Sequence, residues 1–398
     1  MMRLLAIACV VLTASAFTPA PAPLHLLKDY PTARCLDGSS GAYYFRPAQS
    51  AATTNKWVFS LEGGGECVTE SDCATRAADK SSTSLGSSVG YDSDGSGSMY
   101  QFQGADPRYN PDFYSWNHVL IMYCTGDLHL GTVDVPGAEQ WNWAFFSGSL
   151  VVDAVVAELT STSGLSSATD VIWNGASAGG IGAGASVDRV KEALPKTRVV
   201  AAPVAGFYWD NAWPYEGPGA TAFIPFGVKA FEQYWALWKI RPPTACAAAM
   251  PLQPWACALL NFSLPYAVSD VFVIEMLVDN VQMSLHSGVP SYGNETASYV
   301  AEFGHNMSMA LNTVVVAKGE GDPSNGLGRA GLFAANCFSH GSFASTYPLV
   351  ADPASGMNAS YISAFSDWYY NRGAYSTPYL SDPCCAIEEG VTFNPTCP

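Results

Sequence analysis

Charge is scarce in this chain, and positive charge is scarcest. Of 398 residues only 13% are charged, and 18 Lys and Arg stand against 34 Asp and Glu, a net charge of −16. Average proteins carry about 25% charged residues, so much of the polar surface must come from Ser, Thr, Asn, Gly and Tyr, or from attached sugar. A chain this acidic repels phosphates, and no long Lys/Arg cluster offsets the field, so no nucleic-acid partner is expected. No apolar run approaches the ~20 residues needed to cross a bilayer, so no membrane span is expected. Cys-x-x-Cys spacing is also missing, which argues against a zinc site. The sequence has neither internal repeats nor coiled-coil heptads. No metal and no cofactor is called for.

The remaining features point outward from the cell. Arg3 precedes a short apolar run over residues 4–12, and Ala14-Ser15-Ala16 follows as a small-residue cleavage site. That order of features is expected of a signal peptide over residues 1–16. Cys9 lies inside it, and the ten cysteines beyond it suggest up to five disulfides in an exported chain. Cys67/Cys73 and Cys246/Cys257 are near neighbours and plausible local pairs. Sequons at Asn261, Asn294, Asn306 and Asn358 suggest surface glycosylation. A secreted, monomeric protein is expected, with residues 17–398 forming one domain.

Hydrophobic patterning from Gly41 onward alternates strand and helix. Residues 42–45 and 57–61 read as strands, and the apolar run at 118–124 as a strand buried on both faces. A helix is expected over residues 146–160, with Val151, Val155 and Leu159 at helical spacing. Residues 170–173 form another strand candidate, followed by a helix through Val187, Val190 and Leu194, then a strand at 199–202. The class expected is α/β, α/β-hydrolase-like, with a mostly parallel sheet flanked by helices. Residues 208–266, rich in Trp and Pro, read as a cap inserted over the active site.

The chemistry rests on Gly175-Ala176-Ser177-Ala178-Gly179, a G-x-S-x-G pentapeptide between a strand and a helix. Glycines let the backbone turn sharply so that the serine Oγ projects from the sheet edge, and the following helix N-terminus favours developing negative charge. A nucleophilic serine needs a base and an acid, which in this fold follow it in the order acid, then His. His286, His305 and His340 are therefore the candidates, and His340 is favoured by its loop-like context after Cys337. Residues 271–278 could be a strand or a buried helix; as a strand they would put Asp279 at the sheet edge that carries Ser177. Asp210 and Asp322 are runners-up. Gly63-Gly64-Gly65, directly after a strand, resembles an oxyanion loop, and Ala178 supplies a further backbone N–H.

These segments together resemble the pectin acetylesterase/Notum family. The resemblance is carried by Leu61-Glu62-Gly63-Gly64-Gly65-Glu66-Cys67 with Cys73 and Arg76, by Trp116-Asn117 and Tyr123-Cys124, and by Ser177-Ala178-Gly179-Gly180. The Asp279 segment, Asn336-Cys337-Phe338-Ser339-His340 and Asn394-Pro395-Thr396-Cys397 continue it to the end of the chain. It implies a metal-free serine carboxylesterase with Ser177, Asp279 and His340 as triad and Gly64, Gly65 and Ala178 as oxyanion donors. Plant and microbial members of the family deacetylate pectin, and animal Notum removes palmitoleate from Wnt proteins. Three positions depart from the family pattern: Glu66, where plant members carry Trp; Val204-Ala205-Gly206, in place of Asp-Ser-Gly; and residues 126–131.

Removal of O-acetyl groups from an extracellular, pectin-like polysaccharide is the function expected first. Deacylation of a lipid-modified protein is the alternative, and a non-catalytic binding protein on the same fold is a third.

Overall fold

Five of the central strands share one trait, which is that successive side chains enter two different cores. Trp57, Phe59 and Leu61 face one apolar cluster and Val58 the other; Val171 and Trp173 oppose Ile172; Val271, Val273 and Leu277 oppose Phe272, Ile274 and Met276. This period-two burial on both faces is what a parallel sheet between helix layers demands. The computed structural model describes residues 19–210, 213–291, 293–316, 318, 326–340, 350–351, 358–372 and 379–380. The expected signal peptide, Asp322 and the C-terminal cysteines lie outside the described residues.

In chain order the elements begin with β1 (Leu24–Leu26), β2 (Ala42–Arg46), β3 (Lys56–Leu61), α1 (Glu70–Ala78) and β4 (Asn117–Ile121). α2 (Gly148–Thr162), β5 (Asp170–Ala176), α3 (Ala178–Ala193) and β6 (Arg198–Val204) follow. The insertion then carries α4 (Val228–Trp238), α5 (Thr244–Ala249) and α6 (Leu260–Ser263) before β7 (Asp270–Val278). The chain continues through α7 (Asn280–Ser287), α8 (Ala297–Leu311), β8 (Ala330–Phe338), β9 (Val350–Ala351), β10 (Asn358–Ala359), α9 (Tyr361–Tyr370) and β11 (Tyr379–Leu380). Nine strands form one sheet in the order β1-β2-β4-β3-β5-β6-β7-β8-β11. Pairing is parallel from β4 to β11, while β1 and β2 add an antiparallel edge. The segment 271–278, open between strand and helix in the sequence, is thus a strand.

Helices α2, α3 and α8 cover one face through Val151, Val155, Val187, Phe303 and Met307. On the other face α9 packs Tyr361, Phe365, Trp368 and Tyr369 against Val58, Phe272 and Phe333. Among the described residues no helix is long and apolar enough to cross a membrane.

Two expected boundaries shift for identifiable reasons. α2 starts at Gly148 and not at residue 146, because Ser147 is engaged elsewhere: its Oγ donates to Arg34 O at 2.6 Å and accepts from Arg34 N–H at 3.0 Å. β4 stops at Ile121 although the apolar run continues, because Tyr123 and Cys124 are drawn away. The Tyr123 hydroxyl donates to Gly65 O at 2.7 Å, and Cys124 is disulfide-bonded to Cys35. The two local pairs, Cys67–Cys73 and Cys246–Cys257, also form, and Cys337 is disulfide-bonded as well.

The strand order places the functional edge. From β3 the chain proceeds to β4 on one side, and from β5 it proceeds to β6 on the other. The carboxyl ends of β3 and β5 therefore release their loops in opposite directions, leaving the crevice where open α/β sheets bind ligands. Gly63–Gly65 leaves β3 there, and Ser177 leaves β5.

Candidate active site

Ser177 sits between β5 and α3 with φ 59° and ψ −124°, a left-handed conformation that costs a non-glycine residue of order 1–3 kcal/mol. The surroundings hold it there. Its N–H donates to Val204 O at 2.9 Å, and its carbonyl accepts from Ile181 N–H at 3.0 Å. The flanking glycines permit the close approach of three chain segments: a Cβ on Gly179 would lie 1.9 Å from Leu61 O, and one on Gly175 would lie 2.1 Å from Gly179 O. Gly179→Ala should therefore push α3 off β3 and cost about 1–3 kcal/mol or more. The measurement is the thermal unfolding midpoint, and an unchanged midpoint would show that the junction is loose.

Asp279 ends β7 and is fully buried. Its Oδ1 caps α7, accepting from Val281 N–H at 2.9 Å and Gln282 N–H at 3.1 Å, while Oδ2 lies 2.7 Å from Nδ1 of His340. One carboxylate is thus both helix cap and imidazole partner. A register shift between Met276 and Val278 pairs Val278 with Phe338, bringing the ends of β7 and β8 level so that Asp279 and His340 meet. Irregularities of this kind commonly re-aim side chains beside functional sites. Burial works against the charged imidazole and is the largest influence on His340. The Asp279 charge and hydrogen bond together outweigh it, so its pKa lies above the ordinary 6.5. The other ring nitrogen, Nε2, is buried and makes no hydrogen bond to a described residue.

The glycine loop after β3 is held from several directions. Arg76 of α1 donates to Gly64 O at 2.9 Å and Glu66 O at 2.6 Å, and the Cys67–Cys73 disulfide ties the loop to the same helix. A Cβ on Gly63 would lie 3.1 Å from the Ser177 Cβ, so the loop backs directly onto the serine. The N–H groups of Gly64, Gly65 and Ala178 donate to no described residue. Fixed, unspent donors beside a strained serine are what a developing oxyanion requires.

The remaining candidates take other roles. His305 is exposed on α8. Asp210 accepts from Val228 N–H at 3.0 Å and caps α4. His118 is buried beside Arg46, and burial lowers its pKa to about 3. Among the described residues no group of three or more His, Cys, Asp or Glu could hold a metal ion.

Four further buried polar side chains lie in this region: Glu275 and Tyr208, which sequence reasoning missed, and Glu66 and His286, which enter it only as a departure from the family pattern and as a candidate base. Glu275 of β7 accepts from Phe207 N–H at 2.9 Å; burial first, and then the Asp279 charge, push its pKa well above the usual carboxyl range. Glu66 and His286 lie with Oε1 and Nδ1 3.8 Å apart. Burial raises Glu66 to about 7 and lowers His286 to about 4, so between those values both are neutral and the contact is no ion pair. Tyr208 is fully embedded, and its phenol is raised by burial while a hydrogen bond with the Ser177 side chain opposes the shift. Glu66 carried a signal, since it directly follows the glycine loop. His286 stood among the candidate bases by its order in the chain, whereas Tyr208 carried no signal, because only the folded insertion brings it to Ser177.

A family model described as pectinacetylesterase matches residues 16–398. Palmitoleoyl-protein carboxylesterase NOTUM of Drosophila melanogaster is 27% identical over 309 residues, covering 77% of this chain and 43% of that protein. NOTUM of Schmidtea mediterranea is 28% identical, covering 93% of this chain and 66% of its own length. Pectin acetylesterase 11 of Arabidopsis thaliana is 28% identical over 376 residues, covering 92% of this chain and 89% of its own. This chain therefore spans less than two thirds of either NOTUM relative but most of the plant relative. A solved structure of the Wnt deacylase Notum from Drosophila superposes with TM-score 0.76 at 24% identity, covering 95% of this chain and 100% of that one, a likeness of fold. With a family model spanning nearly its whole length, the chain belongs to the pectinacetylesterase family.

Proposed function

We propose that the chain is a secreted serine carboxylesterase that removes O-acetyl groups from an extracellular polysaccharide through an acyl-enzyme. Ser177 is the nucleophile, His340 the base and Asp279 its orienting acid; Gly64, Gly65 and Ala178 donate to the oxyanion. The observation that carries the reading is the 2.7 Å contact between Asp279 Oδ2 and His340 Nδ1, which leaves Nε2 as the free basic nitrogen. In the reaction Ser177 Oγ bonds to the acyl carbon as its proton passes to Nε2. The sugar oxygen then leaves with that proton. Water adds to the acyl-enzyme with the same base, and acetate departs.

Export is supported by the N-terminal leader, residues 1–16, and by the disulfides, which persist in oxidising compartments. The net charge of −16 disfavours a bare polyanion and favours neutral or heavily acetylated stretches of glycan. Removal of a long acyl chain is the second reading. It is favoured by a cavity of about 620 Å³ whose lining includes Phe223, Pro225, Phe226 and Trp255, alongside the charged Asp210, Lys229 and Glu232.

The test compares p-nitrophenyl acetate with p-nitrophenyl octanoate, and then measures acetate release from acetylated pectin. Preference for acetate and release of acetate are expected. Preference for octanoate would transfer the reading to lipid esters, and hydrolysis undiminished in Ser177→Ala would end the enzyme assignment.

A further inference from the structure

We propose that the buried carboxyl of Glu66, set against His286, is the specificity-determining group that confines this site to short acyl chains. The inference rests on Ser177 being the nucleophile and deepens that reading.

Glu66 immediately follows Gly64 and Gly65, and Arg76 fixes the carbonyls of Gly64 and Glu66 together. An acyl group whose carbonyl oxygen lies against those N–H groups therefore has the Glu66 side chain as a neighbour. That side chain is buried, and its Oε1 has no hydrogen-bond partner. The closest imidazole nitrogen, Nδ1 of His286, is 3.8 Å away and is already 3.1 Å from Ile224 O.

His286 links two regions. Its ring packs on Phe226, with centroids 4.4 Å apart, and on Tyr208 at 5.7 Å, and the Tyr208 phenol lies close enough to the Ser177 side chain for that hydroxyl to act on its pKa. His286 and Phe226 also line the 620 Å³ cavity. The cluster of Glu66, His286 and Tyr208 thus connects the surroundings of the serine with a cavity large enough to hold an alkyl chain.

An acetyl methyl stops short of that wall. A longer chain must lie along a carboxyl whose Oε1 is unpaired, and a buried polar atom denied a partner is costly whether the group is neutral or charged. Each methylene that would gain roughly fourfold in an apolar pocket gains little here. Because burial holds Glu66 near pKa 7, ionisation above neutrality makes the wall still less hospitable to hydrocarbon.

The test measures kcat/KM for p-nitrophenyl acetate and octanoate with the parent enzyme, Glu66→Leu and Glu66→Gln, each checked by thermal unfolding. Glu66→Leu should raise the octanoate-to-acetate ratio by about tenfold or more, since two or more methylenes regain an apolar wall. Glu66→Gln, isosteric and uncharged, should move the ratio in the same direction by less. If Glu66→Leu does not fold, Glu66→Gln alone decides. A ratio unchanged in every folded variant overturns the inference. Should Ser177→Ala be inactive while the ratio stays fixed, only the role of Glu66 fails; should Ser177→Ala remain active, the underlying reading fails first.

Discussion

Ser177→Ala is expected to lower kcat for p-nitrophenyl acetate by roughly 10⁴–10⁶-fold, and His340→Ala by a similar factor. The two side chains act as one unit, because a serine hydroxyl is a poor nucleophile until a base removes its proton in the same step. The double variant should accordingly be no slower than the slower single variant. What survives is the share supplied by Gly64, Gly65 and Ala178, whose N–H groups stay in place when either side chain is cut back. His305→Ala is the control, since that imidazole is exposed on α8, away from the Asp279 carboxylate. An inactive His305→Ala beside an active His340→Ala would reassign the base. Additive losses in the double variant would show that Ser177 and His340 do not cooperate.

The parts of this arrangement that were legible in the sequence are those encoded locally. Strands β3, β5 and β6 announce themselves as short apolar runs, because both of their faces are buried, whereas the longer apolar run of β7 reads equally as a buried helix. The turn at Ser177 is written in its glycines, since backbone oxygens lie within 1.9–2.1 Å of where side chains at Gly175 and Gly179 would be. Asp279 could be placed because its position depends only on where one strand ends. His340 was narrower ground: its contact with Asp279 depends on the register shift near Met276, which no local pattern records. The extent of β4 was overcalled because hydrophobicity does not distinguish a strand from an extended segment pulled aside by a disulfide and a tyrosine hydroxyl. The Glu66–His286 contact was invisible for the same kind of reason, the two residues being 220 positions apart.

Three buried carboxyls, Glu66, Glu275 and Asp279, lie in this part of the fold, which treats them differently. Glu66 and Glu275 are both pushed upward chiefly by burial, so each tends towards its neutral form. Asp279 alone faces the imidazole, and backbone N–H donors from the start of α7 hold its other oxygen. Burial pushes Glu275 upward, and the charge acting on His340 comes from Asp279, one carboxylate with a fixed direction. That direction matters because the proton on Nδ1 decides which nitrogen remains basic.

Asp279→Asn isolates this effect and is expected to reduce kcat by about 10⁴-fold, because the amide can present a donor to Nδ1 and stabilise the wrong tautomer. Asparagine still caps a helix well, so α7 should persist and the loss should fall on chemistry. The pH dependence supplies an independent sign. In the parent enzyme His340 titrates above 6.5, so the acid limb of kcat/KM lies above that value. Removing the Asp279 charge leaves burial dominant, and burial lowers an imidazole, so the limb should move to lower pH in the variant. Stability follows the same linkage. A histidine whose folded pKa is raised contributes stability that is fully present below its unfolded pKa and is lost as pH rises through its folded value. The parent's thermal advantage over Asp279→Asn should therefore be greater at pH 5 than at pH 9. An acid limb that stays fixed, or a stability gap that widens towards pH 9, would mean that Asp279 does not set the charge on His340.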